Sequence, residues 1–74
     1  MRPSRRREAV LDFIKEYIAE NHMPPTRRDI MAGVGLSTTS VVSYQLLLLQ
    51  REGRIELVDN IARGIRLVDG TVPV

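Results

Sequence analysis

Thr26 stands three residues ahead of Asp29, directly after Pro24-Pro25, with Arg27 and Arg28 between them. A helix N-terminus carries unpaired N–H groups and partial positive charge, and a Thr-x-x-Asp box caps such a start. Two arginines in that first turn suit one kind of chemistry, the holding of an anion such as a phosphodiester. A second run, Ser37, Thr39, Ser40, Val41, Ser43 and Tyr44, places hydroxyls beside an aliphatic and an aromatic side chain. Hydroxyls bond to base edges or to phosphate, and Val41 or Tyr44 suits a thymine methyl group. The first turn of this run holds no Arg, Asn or Gln, and Gln45 is the nearest amide. Recognition of A·T-rich sites through shape and methyl groups is therefore expected over strong guanine reading. Arg6, in the cluster Arg5 to Arg7, is a third candidate for phosphate. Asn60 and Arg63 are candidates for phosphate or the minor groove.

The bulk composition excludes several classes. The chain has 74 residues, 43% of them apolar, with no cysteine. It is one small domain with a thin core and no disulfide framework. Eleven basic residues against nine acidic ones leave a net charge of +2. The basic groups gather at Arg2 to Arg7, at Arg27 and Arg28, and at Arg63 and Arg66. The acids lie mainly along 8 to 20 and 52 to 59, most of them on a first helix expected to sit away from the basic groups. Such a basic patch fits a polyanion. His22 has no metal-ligand company, the serines have no base beside them in sequence, and no glycine-rich phosphate loop occurs. Neither an enzyme, a metal, a cofactor nor a small-molecule ligand is expected. The longest apolar run, "LLLL" at 46 to 49, is far short of the ~20 residues of a membrane span. The basic N-terminus is followed by Glu8 and Asp12 rather than an apolar core, so a cytoplasmic location is expected.

These groups need elements to position them. Ser4 to Asn21 has the period of an amphipathic helix, with Val10, Ile14 and Ile18 as its stripe, Leu11, Phe13 and Tyr17 flanking it and Ser4 as cap. Pro24-Pro25 forbid its continuation. Thr26 starts a short second helix with Ile30 and Val34 inward, weakened by Gly33 and ended by Gly35 in a left-handed turn. Leu36 anchors the turn, and "STTS" offers several caps for a third helix from about Thr39 to Arg51. Its stripe is Val42, Leu46 and Leu49, with Ser40, Ser43, Tyr44 and Leu47 off it, and Gly53 stops it. "RIELV" and "GIRLV" then alternate as strands, with Ile55 and Leu57, and Ile65 and Leu67, on one face; "DNIAR" joins them. The predicted class is α+β, mainly α: a helix-turn-helix backed by a two-stranded wing, over residues 1–68. Residues 69–74 form a tail or the start of a linker.

At this level the chain resembles the DNA-binding domains of the LexA family, the repressors of the bacterial SOS response. The residues that carry the likeness are "MPPTRRDI", "GL" with the Ser/Thr-rich opening of the third helix, "REGRIEL" and "ARGIRL", together spanning about residues 4 to 68. The resemblance implies a winged helix with the third helix in the major groove and a wing reaching toward the backbone or minor groove. It also implies repression of transcription from double-stranded DNA, with a homodimer on a palindromic operator. LexA-type repressors continue into a self-cleaving Ser-Lys protease domain. Lys15 is the one lysine here, so self-cleavage by this chain is not expected, and "TVPV" looks like the opening of that second domain. Met31 stands where such domains carry alanine, with Gly33 nearby to make room. The alternative function is a winged-helix protein-interaction module docking through Val41, Tyr44 and Leu47. Loss of a partner rather than of DNA in a Tyr44, Leu47 double alanine variant would distinguish it.

Overall fold

The computed structural model describes residues 5–58 and 63–68. Three helices precede a two-stranded antiparallel sheet: α1 (Arg5–Asn21), α2 (Arg27–Val34), α3 (Thr39–Arg51), β1 (Ile55–Leu57) and β2 (Ile65–Leu67). Order and class agree with the expectation from sequence. Ser4, the expected cap of α1, lies outside the described residues, as do Asn60 and residues 69–74.

Helix α1 buries Val10, Leu11 and Ile14, with Phe13 and Ile18 half-buried against the core. The buried stripe is thus turned toward Leu11 and fades at Ile18, because both α2 and α3 pack on this helix. At its end His22 adopts a left-handed conformation, φ 59°, and donates its N–H to the Ile18 carbonyl at 2.8 Å. Pro25 is buried behind it.

Both halves of the capping box on α2 are formed. The Asp29 N–H donates to Thr26 Oγ1 at 3.1 Å, and the Thr26 N–H to Asp29 Oδ2 at 3.0 Å. Gly35 closes the helix at φ 83°, and both its N–H and that of Leu36 reach the Met31 carbonyl at 2.9 Å. Gly33 has a role beyond weakening the helix: a Cβ there would lie 2.1 Å from Phe13 Cε1. The room at Gly33 is filled by the Phe13 ring of α1, while Met31 packs half-buried at the core margin. The expectation that this space serves Met31 is corrected accordingly.

The chain turns by 101° between α2 and α3, within the ~90–120° of a helix-turn-helix. Thr38 is the cap of α3, its hydroxyl accepting from the Val41 N–H at 3.3 Å. Val42, Leu46 and Leu49 are fully buried, and Gln45 joins them at 7% exposure. A Schellman motif ends the helix: Gly53, φ 74°, donates to Gln50, and Arg54 to Leu49. This satisfies carbonyls that would otherwise face no donor.

Strands β1 and β2 pair Ile55 with Leu67, Glu56 with Arg66 and Leu57 with Ile65. Ile55 and Ile65 enter the core, Leu57 is half-buried and Leu67 is exposed. The inward face expected from the alternation is therefore only partly covered, since the helices lie beneath part of the sheet. Gln50 Oε1 accepts from the Leu57 N–H at 2.8 Å, satisfying a donor on the side of β1 away from β2. Among the described residues no single helix is long and apolar enough to cross a membrane.

Candidate nucleic-acid interface

The buried positions of α3 are 42, 45, 46 and 49, and the helical period leaves 40, 43, 44 and 47 on the other side. Tyr44 is 60% and Leu47 43% exposed. Ser37, Thr39 and Ser40 are exposed, whereas Val41 and Ser43 are half-buried. A polar front with one aromatic ring is thus offered outward.

Beside this front lies the start of α2. Arg27 Nε donates to Ser43 Oγ at 3.1 Å, a bond that ties the first turn of α2 to the outer side of α3. Arg27 is half-buried, while Arg28 is exposed. Among the described residues neither arginine has a carboxylate partner. Their charge adds to the partial positive charge of the helix start, so the site is electropositive by construction.

Asp29, one turn in, does not cancel that charge freely. Its carboxylate accepts from the Thr26 backbone N–H and interacts with the Thr26 hydroxyl, Tyr17 and Arg63, which holds its pKa below the ordinary value. Hydrogen bonds to the charged form are the cause.

Arg63, the described wing candidate, is exposed, yet its guanidinium is held by other parts of the protein. Its Nη1 donates to the Pro24 carbonyl at 2.8 Å and to Tyr17 Oη at 3.3 Å, and lies 3.5 Å from Asp29 Oδ2. The guanidinium carbon also sits 5.9 Å from the centre of the Tyr17 ring. A continuous polar line therefore runs from Arg63 through Asp29 and the Thr26 cap to Arg27 and Ser43. It joins the wing, the start of α2 and the front of α3, leaving only Asn60 of the candidates beyond the described residues.

At the N-terminus of α1 the arginines divide. Arg6 is exposed. Arg7 forms an ion pair with Glu52, and Arg54 grips Glu8 with both of its terminal nitrogens. Glu8 is held below its ordinary pKa, chiefly by the Arg54 hydrogen bond. The expectation that the acids lie apart from the basic groups is thus corrected: Glu8 and Glu52 meet arginines across the fold.

Gln45, the nearest amide to the front, faces the core and is not positioned to read a base. The signal was present in the sequence, because residue 45 falls three after Val42 and four before Leu49. The bonds of Arg63 had no local signal, since its partners lie 34 to 46 residues away.

With this geometry in place, the likeness to known proteins becomes specific. The family model of the LexA DNA binding domain matches residues 1–64. A LexA repressor of Herpetosiphon aurantiacus is 39% identical over 70 residues, covering 95% of this chain and 33% of the relative. One from Shewanella amazonensis is 43% identical over 68 residues, covering 90% of this chain and 33% of its own length. One from Haemophilus influenzae is 36% identical over 72 residues, or 96% of this chain and 35% of the relative. The chain spans about a third of the length of the curated relatives it matches. Three helices, a two-stranded wing and a match over nearly the whole chain lead to one conclusion: this chain belongs to the LexA DNA binding domain family.

Proposed function

We propose that the domain binds double-stranded DNA sequence-specifically and serves as the operator-reading part of a transcriptional repressor. The front of α3, with Ser37, Thr39, Ser40, Val41, Ser43 and Tyr44, faces the major groove. Thr26, Arg27 and Arg28 meet the phosphates on one flank, Arg6 adds positive charge from α1, and Asn60, by its place in the sequence between the strands, is a further candidate for phosphate or the minor groove. The observation that carries this reading is the Arg27–Ser43 bond beside an exposed Tyr44, which puts an uncompensated cation and a polar reading surface side by side.

A single module of this kind buries only about 600–1,000 Å² on DNA. High affinity therefore calls for two copies on half-sites one helical turn, or a multiple of it, apart. A palindromic operator bound by a homodimer follows from that arithmetic. Titrating a duplex with the protein at increasing salt tests the reading. The logarithm of affinity should fall by about 0.9 per log unit of salt for each phosphate neutralised. A response independent of salt would end it. Selection of duplexes from a random pool would then show whether the preferred site is palindromic.

A further inference from the structure

We propose that Arg63 is a positioning residue that ties the wing to the capped start of α2, and that it does not itself neutralise a DNA phosphate. The proposal rests on the DNA-binding reading above and deepens it.

Three separate segments converge on this one guanidinium. Tyr17 Oη comes from the last turns of α1, the Pro24 carbonyl from the α1–α2 loop, and Asp29 Oδ2 from the first turn of α2. The Pro24 carbonyl lies in the α1–α2 loop, immediately ahead of buried Pro25. Arg63 donates to it at 2.8 Å, the shortest of its three bonds. The same Asp29 oxygen accepts from the Thr26 N–H at 3.0 Å, so Arg63 braces the capping box from outside.

The position of Arg63 in the chain makes this brace consequential. It stands two residues before β2. The sheet rests on the helices through β1 against α3. Arg63 connects the opposite side of the wing to α1 and α2. The wing and the start of α2 are thereby presented to a duplex as one unit. Turning Arg63 onto a phosphate would break bonds in all three segments and loosen the helix start that Arg27 and Arg28 depend on. Arg27, bonded to a neutral hydroxyl, loses far less by meeting a phosphate.

Two measurements test the proposal, and the first needs no DNA. In the free protein, Arg63→Ala should speed amide hydrogen exchange at Thr26 and Asp29 by roughly three- to tenfold, the worth of about one hydrogen bond. Exchange at Leu46 and Ile55 should rise less. Unchanged exchange at Thr26 and Asp29 would overturn the proposal, whatever the protein does with DNA.

The second is a salt titration of duplex binding by Arg63→Ala, Tyr17→Phe and the double variant. Each should lose affinity, by roughly three- to tenfold for Arg63→Ala, along lines parallel to that of the parent protein. The double variant should lose no more than Arg63→Ala alone, because both changes break one arrangement. A slope flatter by about 0.9 in Arg63→Ala would put Arg63 on a phosphate and overturn the proposal. Additive losses would do the same. Failure of the DNA-binding reading itself is distinguishable, because the parent protein would then show no salt-dependent binding while the exchange measurement still decides the role of Arg63.

Discussion

The arginines at the two ends of the molecule live in opposite electrostatic settings. Around the N-terminus of α1, Arg7 and Arg54 face the carboxylates of Glu52 and Glu8. At the start of α2, Arg27 faces only the hydroxyl of Ser43. A hydroxyl orients a guanidinium without neutralising it, whereas a carboxylate does both. The difference teaches that the charge available to a polyanion is set by the arginines' partners rather than by their number. One end uses its arginines to hold α1, the end of α3 and the wing together. The other leaves Arg27 beside a hydroxyl that does not neutralise it.

The largest expected effect that would sharpen this contrast is on DNA affinity. Arg27→Ala should weaken binding to every duplex by about tenfold or more and flatten the salt slope by about 0.9, with little change in folding stability. Arg54→Ala should leave that slope alone. If the two variants altered the slope equally, the contrast between the ends would collapse.

Gly33→Ala probes the α1–α2 junction behind the interface. The new methyl would collide with the Phe13 ring, whose nearest atom is 2.1 Å from its place. Overpacking of this kind costs about 1–3 kcal/mol, partly offset by roughly 1 kcal/mol of better helix propensity. A lowered urea midpoint is expected, and an unchanged or raised one would show that the ring moves aside freely.

Smaller effects should mark the paired end. Glu8→Gln should lower stability by about 0.2–1 kcal/mol, as for other partly exposed ion pairs. Its signature should be a change in acid sensitivity. Glu8 and Asp29 both have depressed folded-state pKa values. Their contribution is therefore fully present above the unfolded values and is lost as the pH falls through the folded ones. The urea midpoint from these two groups should stay level from pH 7 to about 5. It should then decline below the ordinary values of 4.5 for Glu8 and 3.8 for Asp29. Glu8→Gln should remove part of that decline and Asp29→Asn another part. The smallest change expected is with Ser40→Ala, which should alter preference between duplex sequences while leaving the salt slope intact.

Much of this was legible before any coordinates. The Thr-x-x-Asp box and the double proline place the restart of the helix, because capping and proline exclusion act within a few residues. Gly35 and Gly53 stop α2 and α3 in left-handed conformations, as glycine after a periodic apolar stripe implies. The 3.6-residue period put Tyr44 and Leu47 outside and Leu46 and Leu49 inside. These are local or periodic properties, so a linear chain displays them.

The sequence alone thus settles the capped start of α2, the glycine stops of α2 and α3, most of the inward stripe of each helix, and that a cationic helix start is followed by a hydroxyl-rich third helix. Tertiary structure decides which arginines remain available to an anion. Arg7 with Glu52, Arg54 with Glu8, and Arg63 with Tyr17, Pro24 and Asp29 meet across 34 to 46 residues of chain. The room at Gly33 taken by Phe13 likewise depends on how α1 lies on α2. Hydrogen bonds need partners within about 3 Å, and charge attraction is screened beyond ~8–10 Å in physiological salt. Whether two distant residues come that close is a matter of packing, which no local pattern encodes.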